Sequence, residues 1–274
     1  MSDRPQFADL NDRALINVAG PDWRSFLQSL LTQDVETLAE GEARFAGLLT
    51  PQGKLLFDLF VIGRSGGALI DVAADRRAAL IQRLTLYRLR AKVEIAADER
   101  PVRVLWPAPA ADLGPDWSLD PRLPALGLRG YGGEPPAGVA EADEAAYAAH
   151  RLSLGVPDPD ADAPPETTYP IEANFDLLGG IDFHKGCFVG QETTSRMKRR
   201  GAIKTRMLPI VFDGPPPAYG AEVLAGELRA GEARTGVDGR AMALLRLDRI
   251  ETGALSVDGR PARVERPAYL PKEA

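Results

Sequence analysis

From about Lys204 onward the chain shows no helical periodicity, and that absence constrains the fold more than any other feature. "TRMLPIVF", "AEVLA", "EARTGV", "AMALLRLDRI", "ALSVDG" and "ARVER" follow as short runs with Gly or Pro between them. Five or six strands at this spacing predict a small closed or nearly closed barrel. Closure removes the unpaired edges that such strands would otherwise show to solvent.

Upstream, helical and strand patterns alternate. In "PDWRSFLQSLL", Trp23, Phe26, Leu27, Leu30 and Leu31 recur at spacings of three and four, which predicts a helix with Pro21 in its first turn. "ARFAGLLTPQGKLLFDLFVIGRSGGALIDVAA" reads as a meander of three strands, turned at "TPQG" and "RSGG". "DRRAALIQRLTLYRLRA" predicts an amphipathic helix with Asp75 as its N-cap, and "KVEIAA" and "PVRVLW" return as strands. Residues 107–138 crowd Pro and Gly and read as a boundary or loop-rich edge. "EADEAAYAAHRLSLG" restores helix, and the acidic "VPDPDADAPPETTYP" reads as a surface loop. This order gives an α+β packing followed by the barrel.

Composition narrows the functional classes. A net charge of −6 argues against general nucleic-acid binding, so no direct nucleic-acid partner is expected. One cysteine excludes an internal disulfide and fits a reducing compartment. The N-terminal "MSDRPQFADLNDRALINV" is too charged for a secretory segment, and no apolar run of about 18 residues suggests a membrane span. A cytoplasmic location and no membrane partner are the expectations.

The lone thiol, Cys187, lies in "HKGCFVGQETTSRMKRRG", residues 184–201. A lone cysteine is commonly a small buried hydrophobe. Here Lys185 and His184 offer cations that would stabilise a thiolate, and a helix starting just after the thiol would add its positive end. A papain-like nucleophile would need His184 or His150 as base. A metal centre of the chain's own is not expected, since iron–sulfur clusters are commonly held by four cysteines. The window 193–212 carries six cations and no carboxylate: Arg196, Lys198, Arg199, Arg200, Lys204 and Arg206. It reads either as a solvated helix end capped by Gly201 or as a site for an anion. Asp58 sits in the strongly apolar "LLFDLFV", where a buried carboxylate needs a partner or a ligand. Glu172 in "YPIEANFD" and Arg151 in "AAHRLSLGVP" are likewise set among apolar and proline neighbours.

"KGCFVGQE", residues 185–192, resembles the Lys-Gly-Cys-(Phe or Tyr)-x-Gly-Gln-Glu signature of the YgfZ family. These are folate-binding proteins related in fold to the T-protein (aminomethyltransferase) of the glycine cleavage system. "RALINVAGPDWRSFLQSLLTQDV", "LLTPQGKLLFDLFV", "LYRLRAKVEI", "RLSLGVP" and "PIEANFD" fall in the family's order, and the resemblance spans residues 12–267. It implies two α+β subdomains and a C-terminal β-barrel around a central cavity. The divisions expected are 1–45 with 139–200, then 46–138, then 203–274. It also implies tetrahydrofolate in the cavity, with Glu172, Arg151, Asp58 and Gln191 as binding residues, and Cys187 with Lys185 as the chemical pair. T-proteins carry an acidic pair where this chain has Phe57 and Asp58, and an apolar ring cannot move a proton. The function implied is an accessory factor, without turnover of its own, for assembly or repair of iron–sulfur clusters in client enzymes, including tRNA-modifying radical enzymes. The alternative is a folate-dependent aminomethyltransferase or demethylase.

Overall fold

In the computed structural model, which describes residues 4–109, 113–201 and 203–271, the first two strands separate at once. β1 (Gln6–Asp9) and β2 (Arg13–Ala19) go to different sheets. β2 joins β3 (Ala43–Leu49), β4 (Leu55–Arg64), β5 (Gly67–Ala73) and β6 (Glu94–Asp98) in an antiparallel sheet ordered β3-β4-β5-β2-β6. β1 instead pairs with β7 (Val102–Trp106), in a second sheet with β8 (Trp117–Leu119), β9 (Leu128–Tyr131) and β10 (Ala140–Glu141), ordered β10-β1-β7-β9-β8.

The expected division at residue 45 therefore falls inside β3, and the second sheet draws on both expected α+β units. Residues 107–138, expected as a boundary, supply β8 and β9 to that sheet. Both strands are too short for their alternation to show in the sequence.

The meander β3-β4-β5 is antiparallel as expected, and β4 and β5 are buried along almost their whole length. A sheet covered on both faces explains their unbroken apolar runs. On one face pack α1 (Trp23–Gln28) and α2 (Arg77–Arg88), through Trp23, Phe26, Leu27, Leu80 and Leu84. α1 starts after Pro21, with Asp22 at its N-cap position. Asp75 does not cap α2: it lies in a 3-10 turn before the helix, and Arg76 holds the cap position.

On the other face Phe45, Phe60 and Phe175 join Tyr131 and Tyr147 in a core shared by both sheets. Burying side chains of this size contributes roughly 1.5–3 kcal/mol each. α3 (Glu144–Ser153) is capped by Asp143, whose carboxylate accepts the Ala146 N–H at 2.8 Å. The acidic proline-rich stretch is not wholly a surface loop: it forms α4 (Pro159–Asp162), and buried Asp162 accepts the Thr235 N–H at 3.1 Å and its hydroxyl at 2.5 Å.

α5 (Gln191–Arg200) leads to the C-terminal third. There β11 (Thr205–Phe212), β12 (Glu222–Ala225), β13 (Leu228–Val237), β14 (Arg240–Arg246), β15 (Leu255–Val257) and β16 (Arg260–Val264) close into a barrel in the order β11-β14-β13-β12-β15-β16. The barrel interior is apolar, filled by residues such as Leu208, Ile210, Val223 and Leu245.

Candidate functional site

Two places in this fold hold the residues that the sequence singles out. The first is interior. Asp58 on β4 and Asp71 on β5 are buried between the two sheets. Asp71 accepts Arg13 Nε at 2.7 Å on one oxygen and an Arg129 guanidinium nitrogen at 2.6 Å on the other. Asp58 has only Arg13, at 3.4 Å, and burial pushes its carboxyl above the usual range. Asp120 pairs with Arg122 at 2.8 Å. The guanidinium groups of Arg13, Arg122 and Arg129 lie 5.7, 4.9 and 4.1 Å from the Phe60 ring centroid. Reading from the residues alone overlooked Asp71, although in "ALIDVA" it gives the same signal as Asp58, one carboxylate in an apolar strand.

Beside this cluster a cavity of about 50 Å³ is lined by Asp12, Asp58, Arg122, Glu144, Tyr147 and Arg151, among others. Asp12 receives no cation of its own; burial and a hydrogen bond with Glu144 raise its carboxyl to about 7. The cavity unites two of the expected binding residues, Asp58 and Arg151. Arg151 donates to the Val156 carbonyl at 2.7 Å and meets Asp158 at 3.6 Å.

Glu172 does not line the cavity. Its carboxylate accepts the Tyr169 N–H at 2.8 Å and the Thr205 hydroxyl, tying the start of the barrel to the preceding turn. Gln191 opens α5 and is also outside the cavity. As placed, these residues do not fit tetrahydrofolate. Ligand cavities run to roughly 300–1,000 Å³, whereas a water takes about 30 Å³, and Glu172 and Arg151 are already bonded to protein groups.

The second place is the loop carrying Cys187. Its approach is fixed by the Asp182 N–H to the Thr32 carbonyl at 3.0 Å and the His184 N–H to the Asp182 carboxylate at 2.7 Å. Lys185, expected to support a thiolate, points elsewhere. Its ammonium donates to the carbonyls of Gln28, Leu31 and Gln33 at 2.8, 2.6 and 2.9 Å, just past the end of α1. Unsatisfied carbonyls collect at a helix C-terminus, so they take up all three of its protons. Burial lowers this ammonium to about 8.

Beyond the thiol, Phe188 is buried in the core shared by both sheets. Gly190 follows at φ 80°, and a Cβ there would meet the Thr50 carbonyl oxygen at 2.6 Å and Gly53 Cα at 2.9 Å. That close approach locks the loop to the "TPQG" turn and explains both glycines. Between these anchors Gly186 has open space around it and Cys187 is exposed, which excludes the packing role.

His150, the other candidate base, donates its Nε2–H to the Ala125 carbonyl at 2.9 Å and stacks on Trp106 in the second sheet. The basic run is divided. Arg206 is buried in a bidentate pair with Asp176, 2.9 Å on each arm, while Arg196 pairs with Glu192 at 2.5 Å. Lys198 lies 5.2 Å from the Phe183 ring centroid, and Lys204 and Arg199 are exposed. The Arg200 side chain lies outside the described residues, and Gly201 ends the helix at φ 63°. No group of metal-ligating side chains occurs among the described residues.

The fold belongs to the T-protein class. It superposes on the glycine cleavage system aminomethyltransferase T of Bartonella henselae with a TM-score of 0.77 at 18% identity, covering 97% of this chain and 86% of that one. Residues 204–272 match the CAF17 C-terminal beta-barrel domain. The human mitochondrial iron-sulfur cluster assembly factor IBA57 is 34% identical over 267 residues, covering 83% of this chain and 75% of its own. The Neurospora crassa IBA57 homolog, also mitochondrial, is 32% identical over 249 residues. The chain therefore belongs to the IBA57 family of iron–sulfur cluster assembly factors. It covers 80% of its own length in the Neurospora match but spans only 57% of that relative, and 55% of the Coccidioides immitis one. The expected tie to YgfZ holds at the coarser level of this T-protein-like superfamily. The expected cytoplasmic location does not stand, because these relatives are mitochondrial proteins.

Proposed function

We propose that this protein assists assembly or repair of iron–sulfur clusters in client enzymes, tRNA-modifying radical enzymes among them, and that Cys187 is its working group. The observation that carries the reading is an exposed thiol on a loop anchored on both sides, by Lys185 and by Phe188 with Gly190. The names of the family's members support it.

One thiolate fills one of the positions around a cluster, so the cluster is substrate, shared with thiolates of a carrier or client. The step is a ligand exchange without redox change. Cys187 releases its proton to solvent and its sulfur bonds to one iron. A carrier thiolate leaves that iron and takes up a proton. Pre-ordering of the loop lowers the entropy that this exchange must overcome. Tetrahydrofolate forms no part of the proposal, and neither does one-carbon transfer: Phe57 is packed in the apolar core and gives no second carboxylate beside Asp58.

The test uses a glutathione-ligated [2Fe–2S] cluster as donor and visible circular dichroism as readout. The native chain should perturb the cluster spectrum and speed its delivery to an apo-client, while Cys187→Ala should do neither with its fold intact. Equal delivery by both proteins would refute the reading.

A further inference from the structure

Residues 76–93 carry six cations and no carboxylate, in a chain whose net charge is −6. Two are paired: Arg76 with Asp160 at 3.4 Å and Arg77 with Glu99 at 3.1 Å. Arg83, Arg88, Arg90 and Lys92 make no ion pair among the described residues. Arg88, Arg90 and Lys92 lie at the corner where α2 ends and the chain turns into β6, while Arg83 stands more than a turn earlier on α2.

The same corner exposes two leucines, Leu86 at 67% and Leu89 at 89%. Leu89 holds φ 43° and ψ −102°, a region that L-residues rarely adopt. Such a conformation persists only where its surroundings impose it. The imposing contacts are present. The Lys92 N–H donates to the Asp22 carboxylate at 2.8 Å, and the Lys92 carbonyl oxygen lies 2.3 Å from where a Cβ on Gly20 would stand. An open cleft of about 460 Å³ is lined by Gly20, Arg88, Leu89, Arg90 and Lys92, with Glu94 as its one carboxylate against three cations.

We propose that this corner docks on an anionic phospholipid surface. Leu86 and Leu89 enter the boundary between headgroups and acyl chains, Arg88, Arg90 and Lys92 meet lipid phosphates, and the cleft has room for a headgroup. Exposed leucines ringed by cations of one sign are what an anionic interface attracts. An acidic protein fits the corner less well. Protein interfaces bury roughly 800 Å² on each partner, while this patch is one helix end with two leucines. Docking of this kind needs no spanning segment, and no helix among the described residues is long and apolar enough to cross a membrane. The inference stands apart from the cluster-assembly reading.

Sedimentation with phosphatidylcholine vesicles, with and without phosphatidylglycerol, tests it. The chain should sediment only with the anionic vesicles and be released by salt. Leu89→Gly suits the backbone angle, so its fold should be kept, and together with Leu86→Ser it should weaken partitioning about tenfold or more. Arg88→Glu with Arg90→Glu should weaken it at least as much. Lys198→Glu with Arg199→Glu, on α5, should leave it unchanged; an equal loss there would overturn the assignment to this corner. Displacement by millimolar glycerol phosphate, insensitive to the leucines, would instead mark a soluble-anion site. Binding of polyglutamate without any vesicle binding would assign the corner to an acidic protein. Either result overturns the proposal.

Discussion

The interior cluster around Asp71 and the loop around Cys187 both concentrate polar chemistry, and they treat it in opposite ways. Around Asp71 the buried charges face opposite ones: Asp71 lies between Arg13 and Arg129, and Asp120 meets Arg122. In the loop, two polar neighbours of the thiol are tied to backbone groups, Lys185 on three carbonyls and Asp182 on a backbone N–H. What remains is a thiol open to solvent on a loop anchored on both sides. Buried charge satisfied by the protein itself holds the sheets together. Chemistry offered to a partner is left without a protein partner, while its neighbours are restrained.

If that contrast is right, the largest loss of stability follows from breaking the interior. Asp71→Ala deprives buried Arg129 and mostly buried Arg13 of their shared carboxylate. Removing one partner of a buried ion pair costs about 3–5 kcal/mol. Urea unfolding should show that loss, and a loss under 1 kcal/mol would mean that the cluster is wetter than its geometry states.

Lys185→Met comes second. It strips the ammonium from three carbonyls at the end of α1, and charged hydrogen bonds contribute about 1.5–3 kcal/mol each before the losses are shared. A destabilisation of about 2 kcal/mol is expected, with faster proteolysis within residues 181–190. An unchanged cleavage rate would show that Phe188 and Gly190 hold the loop without it.

These two variants also show how far the sequence was legible. The barrel was legible because short strands, Gly and Pro repeat within one contiguous stretch. Sheet membership was not, because β1 finds its partner at Trp106, across nearly the whole first sheet in sequence. Local pattern does not carry such a pairing. Cys187 was legible through its glycine-flanked motif, but the role of Lys185 was misread. Adjacency in sequence suggested a cation beside the thiol, and the lowest-energy place for a buried ammonium was a helix end contributed by residues 28–33. The cations at the end of α2 were countable from the first and went uncounted, because the apolar period around them drew the reading to the buried face.

The third test probes the rim of the interior cluster through pH. The Asp12 carboxyl stands at about 7 in the folded chain, raised by burial and Glu144, against an unfolded value of 3.8. Glu144 and Asp158 add negative charge near it, and Arg13 opposes them. The protonated form is the one that the fold favours, so its contribution is full below about pH 4 and is lost as pH rises through 7. Solvent screening at this half-exposed group keeps the effect below that of Lys185. Thermal unfolding should therefore show midpoints falling from pH 4 to pH 7, and Asp12→Asn should flatten that slope.

The smallest expected effect is the sharpest test of the contrast. Cys187 is exposed and Gly186 beside it has open space, so Cys187→Ser leaves no cavity and buries no hydroxyl. Its stability should match the native chain within about 0.5 kcal/mol. A residue that costs nothing to replace contributes nothing to the fold, yet both sides of its loop are anchored as firmly as a core segment. Iodoacetamide should label the native chain at nearly the rate of the urea-unfolded one. Protection of more than about a hundredfold would mean that the thiol reacts only after local unfolding. In that case the loop would belong with the interior cluster, and the open platform that distinguishes the two regions would not exist.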